Sequence, residues 1–583
     1  MSAAPIRNVP IPDPAADRAL VDDAATAGAR PPLTRAERVS TMVGVLLGLL
    51  LAGLDQTIVA TAGPAIQRDL RIPASLYPWV TTAYLVSSTV MVPIYGKVSD
   101  RRGRKPVLLT AIGIFLLGSV LCGLSPTTGA LIAARAVQGL GAAGLFTTAF
   151  AVIADLYPPR ERGRYTGLIG AVMGLSSVVG PLVGGLITDR FGWHWVFLIN
   201  APVGAVALWF IATRMPKLGG TARHARKALD VAGIAWLVLG VVPLLVALSL
   251  GRPEGSAGDS ALSWTSPLIL GLIAVSLVGA VLFLRAERRA EDPIIDPRLF
   301  RNRTVAYGIA ATFVLGAGFL SAVVFLPLFM VNVVGVSATR AGLTMTPLTL
   351  GMVAGSISSG RLVARTGRYK PLMLVGLAVL ATGFAIMAFT LSPDSTTTEL
   401  TLKMLVVGLG IGPTLPLFTL AVQNAASARD VGVVTAATTF ARSLGQVIGV
   451  ALVGTVFATT LATSLARESR TALADVSPAT RAVLASSAVA SEGGGEHASV
   501  SFDRAGARAA VERSVAPAER AAALGAVDRL ALAFQRAFTT AIERLYLVGL
   551  IFVAVATALT LRIPQLPLRQ HHGDEPPPPD PMH

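Results

Sequence analysis

Asp55 is the residue whose position most invites chemistry. It sits in the stretch Leu54-Asp55-Gln56-Thr57-Ile58-Val59, inside an apolar run that begins near Met42. A charge at the centre of a membrane helix costs about 2.5–3.5 kcal/mol on insertion scales, so such a residue usually faces a cavity and works there. A carboxylate shut away from water holds a proton near neutral pH and gives it up when water reaches it, as a proton carrier must. A structural Asp hydrogen-bonded to nearby backbone is the alternative. Arg135 is the natural second member: a guanidinium does not shed its charge, and it keeps Asp55 ionised until the two are parted. Gln138 lies one helical turn further on, where it orients the pair or a water. A snorkelling Arg135 near the membrane surface is the competing reading.

The elements that must carry these residues are membrane helices. The chain has 583 residues, 53% hydrophobic and 14% charged, against about 25% charged in soluble domains. Apolar runs near 20 residues long recur from Met42 to Thr560, the length that spans a bilayer. The lone Cys122 lies in such a run and excludes a disulfide framework. Fourteen spans are expected, near 41–63, 75–96, 105–125, 128–155, 163–187, 193–213, 229–250, 264–284, 304–330, 341–362, 370–391, 400–424, 433–461 and 541–562. The run 42–54 resembles a signal peptide ending near Ala60-Thr61-Ala62, but Asp55 breaks it and the run continues as an uncleaved first helix.

The net charge of +16 reflects topology. Basic residues concentrate in alternate gaps between spans: roughly 24 in one set of gaps against about 6 in the other, the bias that retains Lys and Arg on the cytoplasmic side. Lys97, Arg101, Arg160, Arg214, Arg285, Arg361 and Arg429 mark that side. Both termini are then cytoplasmic, in a multi-pass protein of the cell's inner membrane. No basic segment is interleaved with stacking aromatics, which argues against nucleic acid. Residues 1–38 and 563–583 read as disordered cytoplasmic tails; His571 and His572 belong to the second, and no metal site is expected. Residues 463–540 form an outer loop with nine Arg against eight acids, read as an exposed hairpin or as a lip or docking surface at the exit. One or two Ala-rich helices are expected within Arg504 to Phe538.

The halves of the chain echo each other. Gly96-Lys97-Val98-Ser99-Asp100-Arg101-Arg102-Gly103-Arg104-Lys105-Pro106 returns weakly as Gly360-Arg361, Arg365 and Gly367-Arg368-Tyr369-Lys370-Pro371. Gly139, Gly141, Arg160, Gly163, Thr166 and Gly180 return as Gly408, Gly410, Arg429, Gly432, Thr435 and Gly449, always 269 positions later. The expected division is a six-helix bundle over 39–215, two inserted helices over 216–290, and a second six-helix bundle over 291–462 and 541–562. Parallel halves about an axis normal to the membrane are a transporter design, with the cargo site between them.

On these motifs the chain resembles the major facilitator superfamily, and within it the 14-helix drug:H+ antiporter family of multidrug exporters. Leu54 to Val59 resembles that family's first-helix motif, Gly96 to Pro106 its loop motif, and Arg135-Ala136-Val137-Gln138-Gly139 its fourth-helix motif. Gly174, Gly180-Pro181 and Gly184-Gly185 match its fifth-helix antiporter motif, and Trp193 to Pro202 resembles the start of its sixth helix. Ala60 and His194 depart from the pattern, where Asn and Arg are usual. The resemblance implies an all-α fold, proton relay through Asp55, Arg135 and Gln138, and a gate at Gly96, Asp100, Arg101, Gly103 and Arg104. In that gate Asp100 pairs with Arg101 or Arg104 to lock the outward-facing state. Pro181 bends the fifth helix, and its side-chain-free face packs closely.

Tyr84, Asn200, Gln423 and Gln446 are weaker candidates for lining the cargo cavity, and Arg442 for facing its cytoplasmic vestibule. Apart from Asp55 the span cores hold almost no acids, which favours lipophilic neutral or monocationic cargo. The expected function is proton-driven export of such compounds by alternating access. Handover of a lipid or lipid-linked product, aided by the outer loop, is the alternative. No P-loop, nucleophile elbow or zinc spacing is present, so neither an enzyme nor an ATP-driven motor is expected, and no cofactor beyond the proton gradient. The partners are the bilayer, the cargo and protons; an outer protein partner is left open.

Overall fold

A computed structural model of the chain describes residues 33–72, 76–77, 79–218, 230–252, 262–336, 345–427, 430–474, 476–487, 489–492, 499–517 and 519–568. The helices in chain order are α1 (Arg35–Asp69), α2 (Trp79–Arg102), α3 (Arg104–Gly123), α4 (Thr128–Leu156), α5 (Pro159–Phe191), the short α6 (His194–Leu198), α7 (Asn200–Arg214), α8 (Val231–Leu250) and α9 (Pro267–Arg289). They continue with α10 (Arg303–Asn332), α11 (Thr346–Thr366), α12 (Lys370–Thr390), α13 (Thr397–Ala425), α14 (Val431–Ala472), α15 (Pro478–Ser487), α16 (Arg504–Ser514) and α17 (Arg520–Leu561). Strand structure among the described residues is limited to two-stranded pairings, one of them a hairpin, Val489–Glu492 with Ser499–Phe502.

Side-chain caps set many helix starts, as orphan N–H groups require. Thr34 and Glu37 close a reciprocal capping box on α1. Thr127, Asp230, Ser266, Asn302 and Thr396 cap α4, α8, α9, α10 and α13. The capping box starts α1 at Arg35, inside the stretch expected to be a disordered lead-in; residues 1–32 lie outside the described residues. The far end needs a similar correction. Leu566 N–H donates to the Tyr369 hydroxyl, which donates to the Pro564 carbonyl, and Asn424 donates to the Pro567 carbonyl. These bonds hold 563–568 against the helix ends. Residues 569–583, with His571 and His572, lie outside the described residues.

A helix stands at every expected span, but eleven of them are long and apolar enough to cross a membrane by length and composition, fewer than the fourteen expected. The rest are α2, α11 and α10, the last apolar over the shorter Arg303–Phe319. α2 and α11 are rich in Ser, Thr and Gly because each packs on a helix of the opposite group, α2 on α14 and α11 on α5. Helices facing protein on several sides need less of the apolar surface that lipid demands.

Two groups result. In the first, α1 packs on α5 and α7, and α4 on α2 and α3; in the second, α10 packs on α14 and α17, and α13 on α11 and α12. α8 and α9 pack on each other, with α8 also against α2. The internal repeat has a physical meaning here. Gly139 and Gly141 leave α4 no room for a Cβ against α2 and α3, and Gly408 and Gly410 do the same for α13 against α11 and α12. Gly180 meets Thr57 of α1 as Gly449 meets Ala317 of α10. Gly103 and Gly367 both adopt positive φ, +91° and +70°, at the corresponding tight turns.

The long loop is more ordered than a hairpin. α14 runs on to Ala472 and the last span's helix starts at Arg520, well before 541, so both project beyond the expected spans. With α15 and α16 they enclose an apolar cluster of Ala472, Val476, Leu484, Val511, Val527 and Leu530. Burial of these side chains outweighs the helix-end fraying that exposed termini would show.

Candidate functional site

Asp55 on α1 and Arg135 on α4 form an ion pair inside the first group, at 2.6 Å between Arg135 Nη1 and Asp55 Oδ2. Asp55 is 0% exposed and Arg135 1%, which replaces the snorkelling alternative with a sealed pair. Gln138 bridges them: its Nε2 donates to Asp55 Oδ1 at 2.7 Å, while its Oε1 accepts from Arg135 Nη1 at 2.6 Å. Arg135 Nε also donates to the Val80 carbonyl at 3.1 Å, tying the pair to α2. Among the described residues the groups hydrogen-bonded to the Asp55 carboxyl, from Arg135, Gln138 and Asn200, are all donors.

Two residues expected to line a cargo cavity contact this cluster. Asn200 Nδ2 approaches Asp55 Oδ1 at 3.3 Å and donates to Ser119 Oγ at 2.9 Å, and that hydroxyl donates to the Phe197 carbonyl. Tyr84 lies face-on under the guanidinium, 4.4 Å from ring centroid to Arg135 Cζ, and is fully buried. A cation over a desolvated aromatic face gains roughly 2 kcal/mol, so Tyr84 helps hold Arg135 where water does not reach. Gln423 is buried and donates to Thr435 Oγ1 at 2.9 Å, spanning α13 and α14. Gln446 is half-buried on α14.

The residues expected to form a gate assemble at the basic end of the helices. Arg104 pairs with both Asp100 and Asp155, the latter at 2.9 Å, and its Nη1 donates to Ser99 Oγ. Asp100 therefore takes Arg104 of its two expected partners. Arg101 turns instead towards Asp292, 3.9 Å away, which also receives Lys97. Asp292 lies just beyond α9, so the inserted pair is fastened to the last two turns of α2. No motif pointed to Asp292; its signal in the sequence is only an acid next to Pro293. The Asp100 carboxylate abuts Gly432 in the first turn of α14, and Gly96 abuts Ala436 one turn later. A carboxylate at a helix N-terminus is stabilised by the orphan N–H groups there.

The fifth-helix glycines serve two neighbours. Gly180 and Gly184 bring α5 against Thr57, Ile58 and Thr61 of α1, two residues from Asp55 at the nearest. Gly174 meets Thr349 and Val353 of α11, across the divide between the groups. Pro181 lies within α5, while Gly185 faces open space.

The Major Facilitator Superfamily profile matches residues 45–450. Over 422 residues the chain is 39% identical to "Multidrug transporter protein MdtP" of Bacillus subtilis (strain 168), covering 72% of this chain and 76% of that one. It is 39% identical over 426 residues to "Multidrug resistance protein 3" of the same organism, covering 73% and 81%. Among solved structures, the human organic anion transporter MFSD10 (TETRAN) superposes with a TM-score of 0.51 at 18% identity, covering 73% of this chain and 94% of that one, a likeness of fold. With two repeated helical groups packed on each other, a family profile over most of the chain and relatives at this identity, the chain belongs to the Major Facilitator Superfamily of membrane transporters, which are not enzymes.

Proposed function

We propose that the chain is a proton-driven antiporter that exports amphipathic small molecules across the cytoplasmic membrane, built on fourteen spans with both termini inside. The multidrug transporters among its relatives support the cargo class. The observation that carries the coupling is the sealed Asp55–Arg135–Gln138 cluster: in this protein a charge pair is kept away from water inside one helical group, where a structural role would be met more cheaply by apolar packing.

The steps follow from the contacts. In the present conformation α5 packs on α11 midway along the helices through Gly174, and at the basic end α2 closes on α14 through Gly96 and Asp100. This closes the basic, cytoplasmic end. When water from outside reaches Asp55, a proton neutralises it and Arg135 loses its charge partner. The Val80 carbonyl and Gln138 Oε1 then hold Arg135, and α1 is freed to shift against α4 and α5. That shift pulls the gate apart and returns the cavity to the cytoplasm, where cargo entry and proton release are linked. Gly180 and Gly184 keep α5 close enough to α1 to move with it.

Energised inverted vesicles test the reading. A lipophilic fluorescent cargo added to vesicles holding the wild type should be taken up with release of lumenal protons. Asp55→Asn should remove the proton movement and gradient-driven accumulation together, leaving exchange down the cargo gradient. Undiminished accumulation in that variant would overturn the assignment.

A further inference from the structure

Among the described residues Arg442 is an arginine without a partner carboxylate. It stands on α14, eleven residues past Val431, about 16 Å along the helix axis and inside an apolar helix long enough to cross a membrane. Among the described residues no carboxylate lies within ion-pair distance of it and no side chain or carbonyl is hydrogen-bonded to its guanidinium. Arg442 is half-buried rather than sealed as Arg135 is. Its one side-chain neighbour of note is Phe150 of α4, in the opposite helical group, with Cζ 6.0 Å from the ring centroid. Its backbone is fixed because Gly316 lets α10 approach the Arg442 carbonyl with no side chain between. The contrast with Arg135 is plain: that guanidinium has a carboxylate, an amide oxygen and a backbone carbonyl.

A cation without a partner carboxylate, held in a spanning helix between the moving halves, is costly, and the cost is recovered when an anion arrives. We propose that Arg442 is a recognition site for cargo carrying an acidic headgroup, a carboxylate or phosphate, with the apolar body of the cargo lying along Phe150 and the α4–α14 seam. The proposal rests on the transporter reading above and narrows its substrate class. It departs from the neutral or cationic cargo expected from the scarcity of acids: that scarcity leaves Arg442 uncompensated, which favours an anion. A guanidinium offers planar paired donors that match carboxylate and phosphate oxygens.

The test is equilibrium binding without any gradient. Purified protein in phosphatidylcholine nanodiscs is titrated with a dansylated long-chain carboxylic acid and with its methyl ester. The wild type should bind the acid roughly ten- to a hundredfold more tightly than the ester, the range for one charge-assisted hydrogen-bonded contact. Arg442→Gln should erase that difference while leaving ester affinity in place, and Arg442→Lys should restore part of it. Competition when phosphatidylglycerol replaces part of the phosphatidylcholine would identify a bilayer lipid as the natural source of the headgroup; no competition would identify a free solute. Equal binding of acid and ester by the wild type would overturn the proposal, as would parallel loss of both in Arg442→Gln, which would make the arginine a packing element. Loss of the acid preference in Arg442→Gln and loss of proton-linked accumulation in Asp55→Asn are read separately, so each claim fails on its own measurement.

Discussion

Removing Arg135 and Asp55 together should cost far less than the two single removals added. In Arg135→Gln the Asp55 carboxylate, at 0% exposure, loses the guanidinium 2.6 Å away and keeps only Gln138 Nε2 and the long contact from Asn200. Breaking one partner out of a buried pair costs about 3–5 kcal/mol, because the other charge is stranded. Asp55→Asn strands a cation instead, but Arg135 retains the Val80 carbonyl and Gln138 Oε1, so the cost falls at or below the lower end of that range. The double variant Asp55→Asn/Arg135→Gln strands nothing, and its amides still bond to Gln138. The two single losses should therefore exceed the double loss by about 2–3 kcal/mol, the upper range of coupling between contacting residues. Unfolding free energies are measured in dodecyl maltoside micelles titrated with sodium dodecyl sulfate, followed by circular dichroism. Proton-linked accumulation should be absent from all three variants, so stability and transport separate in the double. Additivity within about 0.5 kcal/mol would refute the claim that these two groups stand as a desolvated pair.

Three further outcomes are expected. Gly96→Val drives a side chain into Ala436 of α14, an overpacking cost of about 1–3 kcal/mol that falls on the closed gate. A reporter cysteine in a Val98→Cys background should then react faster with a water-soluble maleimide, the native Cys122 being buried; unchanged labelling would refute the gate contact. Asp292→Asn releases Lys97 and Arg101 from the segment after α9, weakening the same closed state by about 1.5–3 kcal/mol, the worth of a charge-assisted hydrogen bond. Cargo accumulation should fall at unchanged protein level, and full accumulation would detach the inserted helices from gating. Val511→Asp places a carboxylate in the outer apolar cluster, where Val511 is 0% exposed. Limited trypsin should then cut between Arg504 and Arg513 with efflux preserved, whereas loss of the whole protein from the membrane would show that this unit is needed for folding.

Much of this was legible along the chain because a bilayer makes helices report themselves. Each span must satisfy its own backbone and present apolar surface, so runs, gaps and the placement of Lys and Arg mark helices one by one. The spacing of Gly139 and Gly141 and their echo at Gly408 and Gly410 carried the repeat, since close helix approach leaves no choice of residue there. Asp55, Arg135 and Gln138 were also readable, because a charge inside an apolar run is conspicuous. What one-dimensional spacing did not carry was partnership. Asn200 and Tyr84 stood out only as isolated polar groups, yet the fold turns them onto Asp55 and Arg135; Arg101 leaves the Asp100 cluster for Asp292, which lies 191 positions away. The length of α14 and α17 beyond the membrane was likewise hidden, because their Ala-rich ends look like loop until α15 and α16 cover them.

From the order of residues alone come the membrane-helix class, the two-fold internal repeat and the presence of one acid and one arginine deep in the first half, since all of these are local consequences of solvation and of side-chain size. Tertiary packing alone decided that Asp55 is closed off against Arg135, that Asp100 settles on Arg104 at the foot of α14, and that none of the described carboxylates pairs with Arg442. Pairing depends on which helix faces come together in space, and that is set by the packing of the whole bundle.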